Sequence, residues 1–276
     1  MLTTEHDLAF KPVVNAKPKA LSTGQIEQYN REGYVSGFTA FDHADADANR
    51  AYFDELLEQA GPDGAYGINC FQARLAGLWD ICTNPTILDH VEDIVGPTII
   101  CWAAHFFAKL PGDPKTVPWH QDASFWHFSP ARTVTVWLAI DDTDEENSAM
   151  RFIPRTHDKG PMQWEQAAEG SVLDRELVGA DSLGDPVSNT LKAGQFSMHA
   201  DMLAHGSLPN RSNRRRCGLT IRYCPPDVAI TDVQWGKGIE AILCRGQDTT
   251  GTWRHHPRPA SDRLVLADGP RNIGGN

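Results

Sequence analysis

Two residues apart in the segment Trp119-His120-Gln121-Asp122 stand an imidazole and a carboxylate, both ligand groups for a divalent metal. On an extended strand residues i and i+2 project to the same face, so both side chains can reach one ion. A second imidazole is offered by Leu203-Ala204-His205-Gly206-Ser207, just ahead of the β-type run Cys217 to Tyr223. Two histidines and one carboxylate on one side of an ion leave the opposite side open, which suits iron(II) that must accept both a co-substrate and dioxygen. By itself His-x-Asp is a weak signal in a chain with 11 histidines, and chance pairing is the bland reading. Arg216, eleven residues beyond His205, strengthens it. A guanidinium takes a terminal carboxylate by a bidentate pair, the fixture that a chelating keto diacid requires. In the run Arg214-Arg215-Arg216 only one residue need point inward, and the first two read as a solvated basic turn. With three protein ligands in hand, His157, His199, His255 and His256 are assigned to hydrogen bonding or to the surface.

These groups need a rigid frame, and the pattern along the chain supplies one. Residues 1–20 read as an arm over the surface, interrupted by Pro12 and Pro18. Ser22 or Thr23 can cap a helix that carries Ile26 and Tyr29 on one face and stops at Gly33. A second helix carries Tyr52, Phe53, Leu56, Leu57 and Ala60 and ends at Gly61-Pro62. A third has Asn84 as cap, Pro85 in its first turn, an apolar stripe from Ile87 to Val95, and Gly96-Pro97 as its stop. Beyond Pro97 the texture changes to β-type runs at Ile99 to Lys109, Thr133 to Ile140, Met150 to Ile153, Gln195 to Met198 and Cys217 to Tyr223. The stretch 158–188 reads as an insertion loop. The expected architecture is one domain, mostly β: a mainly helical layer (21–97) on a two-sheet jelly roll (98–230), with a closing segment (231–276) whose tail from 245 onward reads as a lid or a dimer contact.

Composition narrows the function classes. The 41% hydrophobic and 22% charged residues are ordinary for a globular enzyme. A net charge of -11, from 25 basic and 36 acidic residues, repels a phosphate backbone, so nucleic acid is excluded as a partner. Six cysteines without a CxxC pair suggest reduced thiols. The start MLTTEHDLAF lacks a secretory pattern, and no run approaches the length of a membrane span, which together point to the cytoplasm and to no membrane partner. Asp141 to Glu146 reads as a solvated acidic turn, since it lacks the glycine and spaced ligands of a calcium loop. Oligomeric state stays open, a homodimer being one option.

The ordered set of His120-Gln121-Asp122, the segment NSAMRFIPRTH from Asn147 to His157, and His205-Gly206-Ser207 through Asn210, Ser212, Arg216 and Tyr223 resembles the phytanoyl-CoA dioxygenase family of 2-oxoglutarate oxygenases. The resemblance spans roughly residues 20–225. It implies a double-stranded β-helix (cupin-like), Fe(II) at His120, Asp122 and His205, 2-oxoglutarate and dioxygen as co-substrates, and Arg216 on the co-substrate carboxylate. Ser207 and Trp137 match further co-substrate contacts, and Trp102 falls where the family lines the same pocket. The implied activity is hydroxylation, because halogenating relatives replace the carboxylate at the position of Asp122 with a small residue.

One departure bears on the substrate. Where many relatives have Pro-Gly-Ser-His, this chain has Pro154-Arg155-Thr156-His157, with Arg151 four residues earlier. Arg74 and Asn69 fall where family members line the pocket. Together these suggest an anionic substrate group, although Arg155 could equally pair with a surface acid such as Asp158 or Glu145. Phe125, Trp126, His127 and Phe128, with Tyr66, Trp235 and the carboxylate of Asp201, could receive an ammonium group by cation–π and Coulomb attraction, the bland reading being core packing. A small zwitterion satisfies both ends. The run His-Ala-Asp-Met-Leu-Ala-His-Gly-Ser and Arg155 resemble the branch that hydroxylates 2-aminoethylphosphonate or its N-trimethyl form, with a carboxylated amine or amino acid as the alternative. The rival classes are a non-redox metal enzyme on the same barrel and a metal-keeping sensor.

Overall fold

α1 (Thr23–Glu32) begins at Ser22, whose hydroxyl accepts from the Gln25 N–H while the Gln25 side chain accepts from the Ser22 N–H. That reciprocal pair satisfies two of the helix's orphan donors. The helix ends at Gly33, where φ is 85° and a Cβ would come within 2.7 Å of the His157 ring. β1 (Tyr34–Thr39) follows, then α2 (His43–Ala60) capped by Asp42, α3 (Gly64–Gly67), α4 (Ala76–Cys82) and α5 (Pro85–Val95). α5 has the expected cap: the Asn84 side chain accepts from the Ile87 N–H, and Pro85 takes the first turn. α4 is an addition to the expected helices, seven residues without a side-chain cap and too short to show a period.

The computed structural model describes residues 6–268; residues 1–5 of the expected arm and 269–276 of the expected closing segment lie outside the described residues. The strands after α5 are β2 (Ile99–Lys109), β3 (Val117–His120), β4 (Phe128–Ser129), β5 (Val134–Ala139), β6 (Arg151–Phe152), β7 (Trp164–Gln166), β8 (Arg175–Leu177), β9 (Val187–Ser188), β10 (Gln195–Ala200), β11 (His205–Ser207), β12 (Arg216–Cys224) and β13 (Ala229–Ile230), with α6 (Val233–Gly236) and β14 (Ile242–Arg245) closing the order. A six-stranded sheet runs β1-β10-β5-β12-β2-β14 and a four-stranded sheet β3-β11-β6-β9. The fold is a double-stranded β-helix with a helical layer on one side. The mainly helical segment donates an edge strand, β1, which begins at the strand-like Tyr34-Val35 that follows Gly33, and the closing segment donates the opposite edge, β14. Residues 158–188 are not a plain loop: β7 and β8 pair as a hairpin, concealed from sequence because strands of three residues, those of β7 all exposed, are too short to show alternation.

The period of two in the large sheet decides where chemistry can occur. Cys217, Leu219, Ile221 and Tyr223 of β12 pack with Val134, Val136 and Leu138 of β5 and with Phe53, Leu56, Ile87 and Val91 of the helices. The alternate residues of β12, namely Arg216, Gly218, Thr220 and Arg222, face the other sheet. Their cross-strand partners on β2 are Lys109, Phe107, His105 and Ala103. Thr220 and Arg222 also oppose Trp137 and Thr135 of β5, which in turn oppose Ser197 and His199 of β10. One face of the sheet is therefore an apolar core, and the other a buried polar wall.

Candidate metal centre and active site

The four-stranded sheet brings the metal motif together. His205 on β11 pairs directly with His120 on β3, placing the two ring centroids 4.0 Å apart. Asp122 begins a short 3-10 turn immediately beyond β3. Ligand atoms of His120, Asp122 and His205 all lie within 4.8 Å of one another, and all three residues are buried. Each imidazole is aimed by its own chain, since Nδ1 of His120 meets the Pro118 carbonyl at 2.9 Å and Nδ1 of His205 the Leu203 carbonyl at 2.9 Å. That leaves both Nε2 lone pairs for an ion, the second-sphere arrangement that fixes metal-binding histidines. Asp122 also accepts from the Thr135 hydroxyl at 3.2 Å. Burial alone would raise its carboxyl, but the Arg222 guanidinium and the His120 hydrogen bond outweigh that and hold it well below the usual carboxylate range. Burial, with His120 beside it, pushes His205 well below the usual imidazole range. A neutral imidazole and an ionised carboxylate are the states that bind a divalent cation, so the donor set fits one.

Gln121 holds this pair in place. Its amide donates to the Gly160 carbonyl at 3.1 Å and the Met202 carbonyl at 2.9 Å, and accepts from the Met162 N–H at 2.9 Å. It therefore ties the metal strand both to the loop before β11 and to the chain leading into the β7–β8 hairpin.

Arg216 opens onto the same cavity as the triad. Its Nε donates to the Ser148 carbonyl at 2.9 Å and its Nη2 to the Ser207 hydroxyl at 3.1 Å, and the guanidinium lies 5.7 Å from the Trp137 ring centre. The guanidinium is thus pre-oriented by its neighbours rather than by a carboxylate. Gly218 makes room for Trp137: a Cβ there would sit 2.0 Å from the indole.

The sequence model of the family described as "Phytanoyl-CoA dioxygenase (PhyH)" matches residues 20–218. The chain belongs to the phytanoyl-CoA dioxygenase family. Among curated proteins it is similar to "Phytanoyl-CoA dioxygenase, peroxisomal" of Bos taurus, 27% identical over 167 residues that cover 57% of this chain and 49% of that protein. It is also similar to "Methylphosphonate hydroxylase" of Gimesia maris, 23% identical over 218 residues that cover 74% of this chain and 80% of that one. The chain thus spans about half the length of the phytanoyl-CoA dioxygenases it matches. Among solved structures it superimposes on the apo form of the non-heme monooxygenase ThoJ with a TM-score of 0.73 at 27% identity, covering 86% of this chain and 88% of that one.

For this family member the remaining expected residues divide clearly. Ser207 and Trp137 line the cavity with Arg216. Trp102 does not; its indole packs on Trp126 and Phe128, 4.6 Å and 4.8 Å between ring centres, and it reaches the site only through Arg222, 5.7 Å away. Arg155 is corrected outright. Its φ of 64° turns the side chain outward, where it makes a paired bridge at 2.9 Å to Glu32, an acid at the end of α1, and is two-thirds exposed. Arg74 is likewise engaged outside the cavity, by Glu240 at 2.6 Å and 2.7 Å. Asn69 forms an antiparallel backbone bridge to His105 alongside β2, and its amide oxygen accepts from the Cys70 thiol at 3.2 Å. Arg151 lies 5.4 Å over the Trp119 ring. Asp201 does not line the cavity; its carboxylate accepts from the Thr133 N–H at 2.9 Å. Phe125 stands 6.0 Å from the His120 ring in a separate recess beneath the hairpin, with Trp119, Trp164 and Arg175. Trp126 and Trp235 belong to the aromatic cluster around Trp102, and Tyr66 donates to Asp113 at 2.8 Å. The basic and acidic turns are not merely solvated: Arg214 bridges Asp144 at 2.8 Å, and Arg215 bridges Asp141 at 2.8 Å. His199 is fully buried and 4.0 Å from Asp122, so of the four spare histidines it alone borders the triad.

Phe107, Met150, Thr220 and Arg222 also line the cavity without having been expected there. A signal for the last two was present. In Arg-Cys-Gly-Leu-Thr-Ile-Arg-Tyr-Cys, every second residue from Arg216 is polar or small, and an inward Arg216 carries Thr220 and Arg222 to the same face.

Proposed function

We propose that this protein is an Fe(II)- and 2-oxoglutarate-dependent oxygenase that hydroxylates an aliphatic carbon of a small anionic or zwitterionic compound, with 2-aminoethylphosphonate or its N-trimethyl form as the first candidates. The observation that carries the reading is the sharing of one cavity by a buried two-histidine, one-carboxylate triad and a buried guanidinium that pairs with no carboxylate among the described residues. His120, Asp122 and His205 would hold the iron, which when bound supplies the dioxygen activation that couples decarboxylation of a keto acid to C–H hydroxylation. Arg216 and Ser207 take the distal carboxylate of 2-oxoglutarate, and the Trp137 ring walls its carbon chain. Burial of these groups excludes water and strengthens each charge contact. A non-redox metal enzyme has no use for the Arg216 dock, which favours the oxygenase over that rival. The similarity to a methylphosphonate hydroxylase supports the phosphonate class.

Succinate release from 2-oxoglutarate under air with added iron(II) tests the reaction type. A panel of aminoethylphosphonate, its trimethyl form, betaines and free amino acids, scored by product mass, tests the substrate. His120→Ala is expected to abolish turnover, and Arg216→Ala to raise the 2-oxoglutarate KM by about tenfold or more, the loss of a bidentate charged contact. Normal kinetics in either variant would contradict the assignment.

A further inference from the structure

We propose that Arg222 is the anchor for an anionic group of the primary substrate, held beside the metal triad at the opposite end of the cavity wall from Arg216; this rests on the oxygenase reading above. Arg222 is 3% exposed and lines the same cavity. Among the described residues its Nε and Nη1 find no hydrogen-bond partner. The nearest carboxylate, Asp122, is 3.8 Å from Nη2, an ion pair beyond hydrogen-bond reach, and is itself committed to the Thr135 hydroxyl and the metal face. Buried guanidinium donors without acceptors are costly to keep, and they persist where a ligand completes them.

Its surroundings fix the group in one pose. Trp126 lies 5.1 Å and Trp102 5.7 Å from the guanidinium carbon, so two rings support the cation without offering it an acceptor. The cationic side chains first suspected of meeting the substrate, Arg155 and Arg74, are tied to Glu32 and Glu240. Among the described residues that line the cavity, Arg222 is the cation with open donors.

Charge balance points the same way. Among the described residues the cavity lining holds two guanidiniums, Arg216 and Arg222, against one carboxylate, Asp122. A divalent metal and a dianionic keto acid cancel each other and leave that excess of one positive charge standing. A substrate carrying a carboxylate or phosphonate removes it. The co-substrate is positioned to be held by Arg216 at its far end, whereas Arg222 lies six residues along the strand, roughly 20 Å between Cα atoms at about 3.3 Å per residue, next to Asp122.

Binding measurements on the Mn(II)-loaded protein under anaerobic conditions separate the two arginines. With 2-oxoglutarate saturating, methylphosphonate and 2-aminoethylphosphonate are titrated by calorimetry, with neutral dimethyl methylphosphonate as the control. We expect at least one phosphonate to bind the native protein and the neutral ester not to bind. Arg222→Gln should weaken that phosphonate by about tenfold or more while changing the Kd for 2-oxoglutarate by less than about threefold, and Arg216→Gln should do the reverse. Arg222→Met, which fills the same space against the two tryptophans, serves as the second variant and should match Arg222→Gln. The proposal is overturned if native protein that binds 2-oxoglutarate binds neither phosphonate, or if the phosphonate constant is unchanged in both Arg222 variants. It is equally overturned if those variants weaken 2-oxoglutarate as Arg216→Gln does, for Arg222 would then hold the keto-acid end of the co-substrate. Failure of the native protein to bind 2-oxoglutarate would instead remove the oxygenase reading itself.

Discussion

At the residue scale, His120 and His205 are directed by carbonyls two positions earlier in the chain, so the metal-facing nitrogens are set by local backbone. The extended backbone through Gln121 makes the His120–Asp122 pair legible in sequence, whereas the arrival of His205 depends on the pairing of β11 with β3 and was legible only from the order of motifs. Arg155 was not, because its direction depends on a left-handed backbone conformation and on Glu32, 123 positions away. Asp201 is a further case in which tertiary burial decides. Burial raises its carboxyl to about 7, against the pull of the Thr133 N–H. A folded-state pKa above the unfolded one means that the folded protein binds the extra proton. The stabilisation from Asp201 is therefore complete below about pH 4 and is lost as the pH rises through about 7. Asp201→Asn removes this titration, so the variant should gain stability relative to the native protein between pH 4 and 7. Denaturant midpoints at a series of pH values check this, and a constant difference between the two proteins across that interval would refute it.

At the scale of elements, β12 organises the site by parity: odd positions from Cys217 build the core beneath the helices, and even positions from Arg216 build the cavity. The helices that carry this sheet were legible where caps mark them, as at Ser22, Asn84 and Gly33. The β7–β8 hairpin was not, since Trp164 to Gln166 are all exposed and leave no alternation to follow. Gly218 is the position where parity and packing meet. Gly218→Ala inserts a methyl 2.0 Å from the Trp137 indole, which must shift away from its place below Arg216. Overpacking of this kind costs about 1–3 kcal/mol, and the displaced ring should weaken 2-oxoglutarate binding as well. A melting curve and a co-substrate titration on the variant test both effects; a native melting temperature with native affinity would show that the indole yields freely.

At the scale of the molecule, the two sheets converge on the metal triad from opposite walls, so ion binding should report on the stability of the whole β-helix. A ligand that binds only the folded state at about a hundred times its Kd adds about 2.7 kcal/mol. Mn(II) or anaerobic Fe(II) should therefore raise the melting temperature, chelation should reverse it, and His205→Ala should abolish the rise. A full shift in that variant would place the ion elsewhere. Among the described residues no helix is long and apolar enough to cross a membrane. Arg216 and the Thr135–Asp122 contact belong to neighbouring strands locked in register by their ladder of hydrogen bonds, which turns the wall into a gauge of fixed length. A keto diacid with one extra methylene, such as 2-oxoadipate, cannot stretch that gauge, and should be rejected by a factor of about 10–200 in kcat/KM however accommodating the loops at the mouth become.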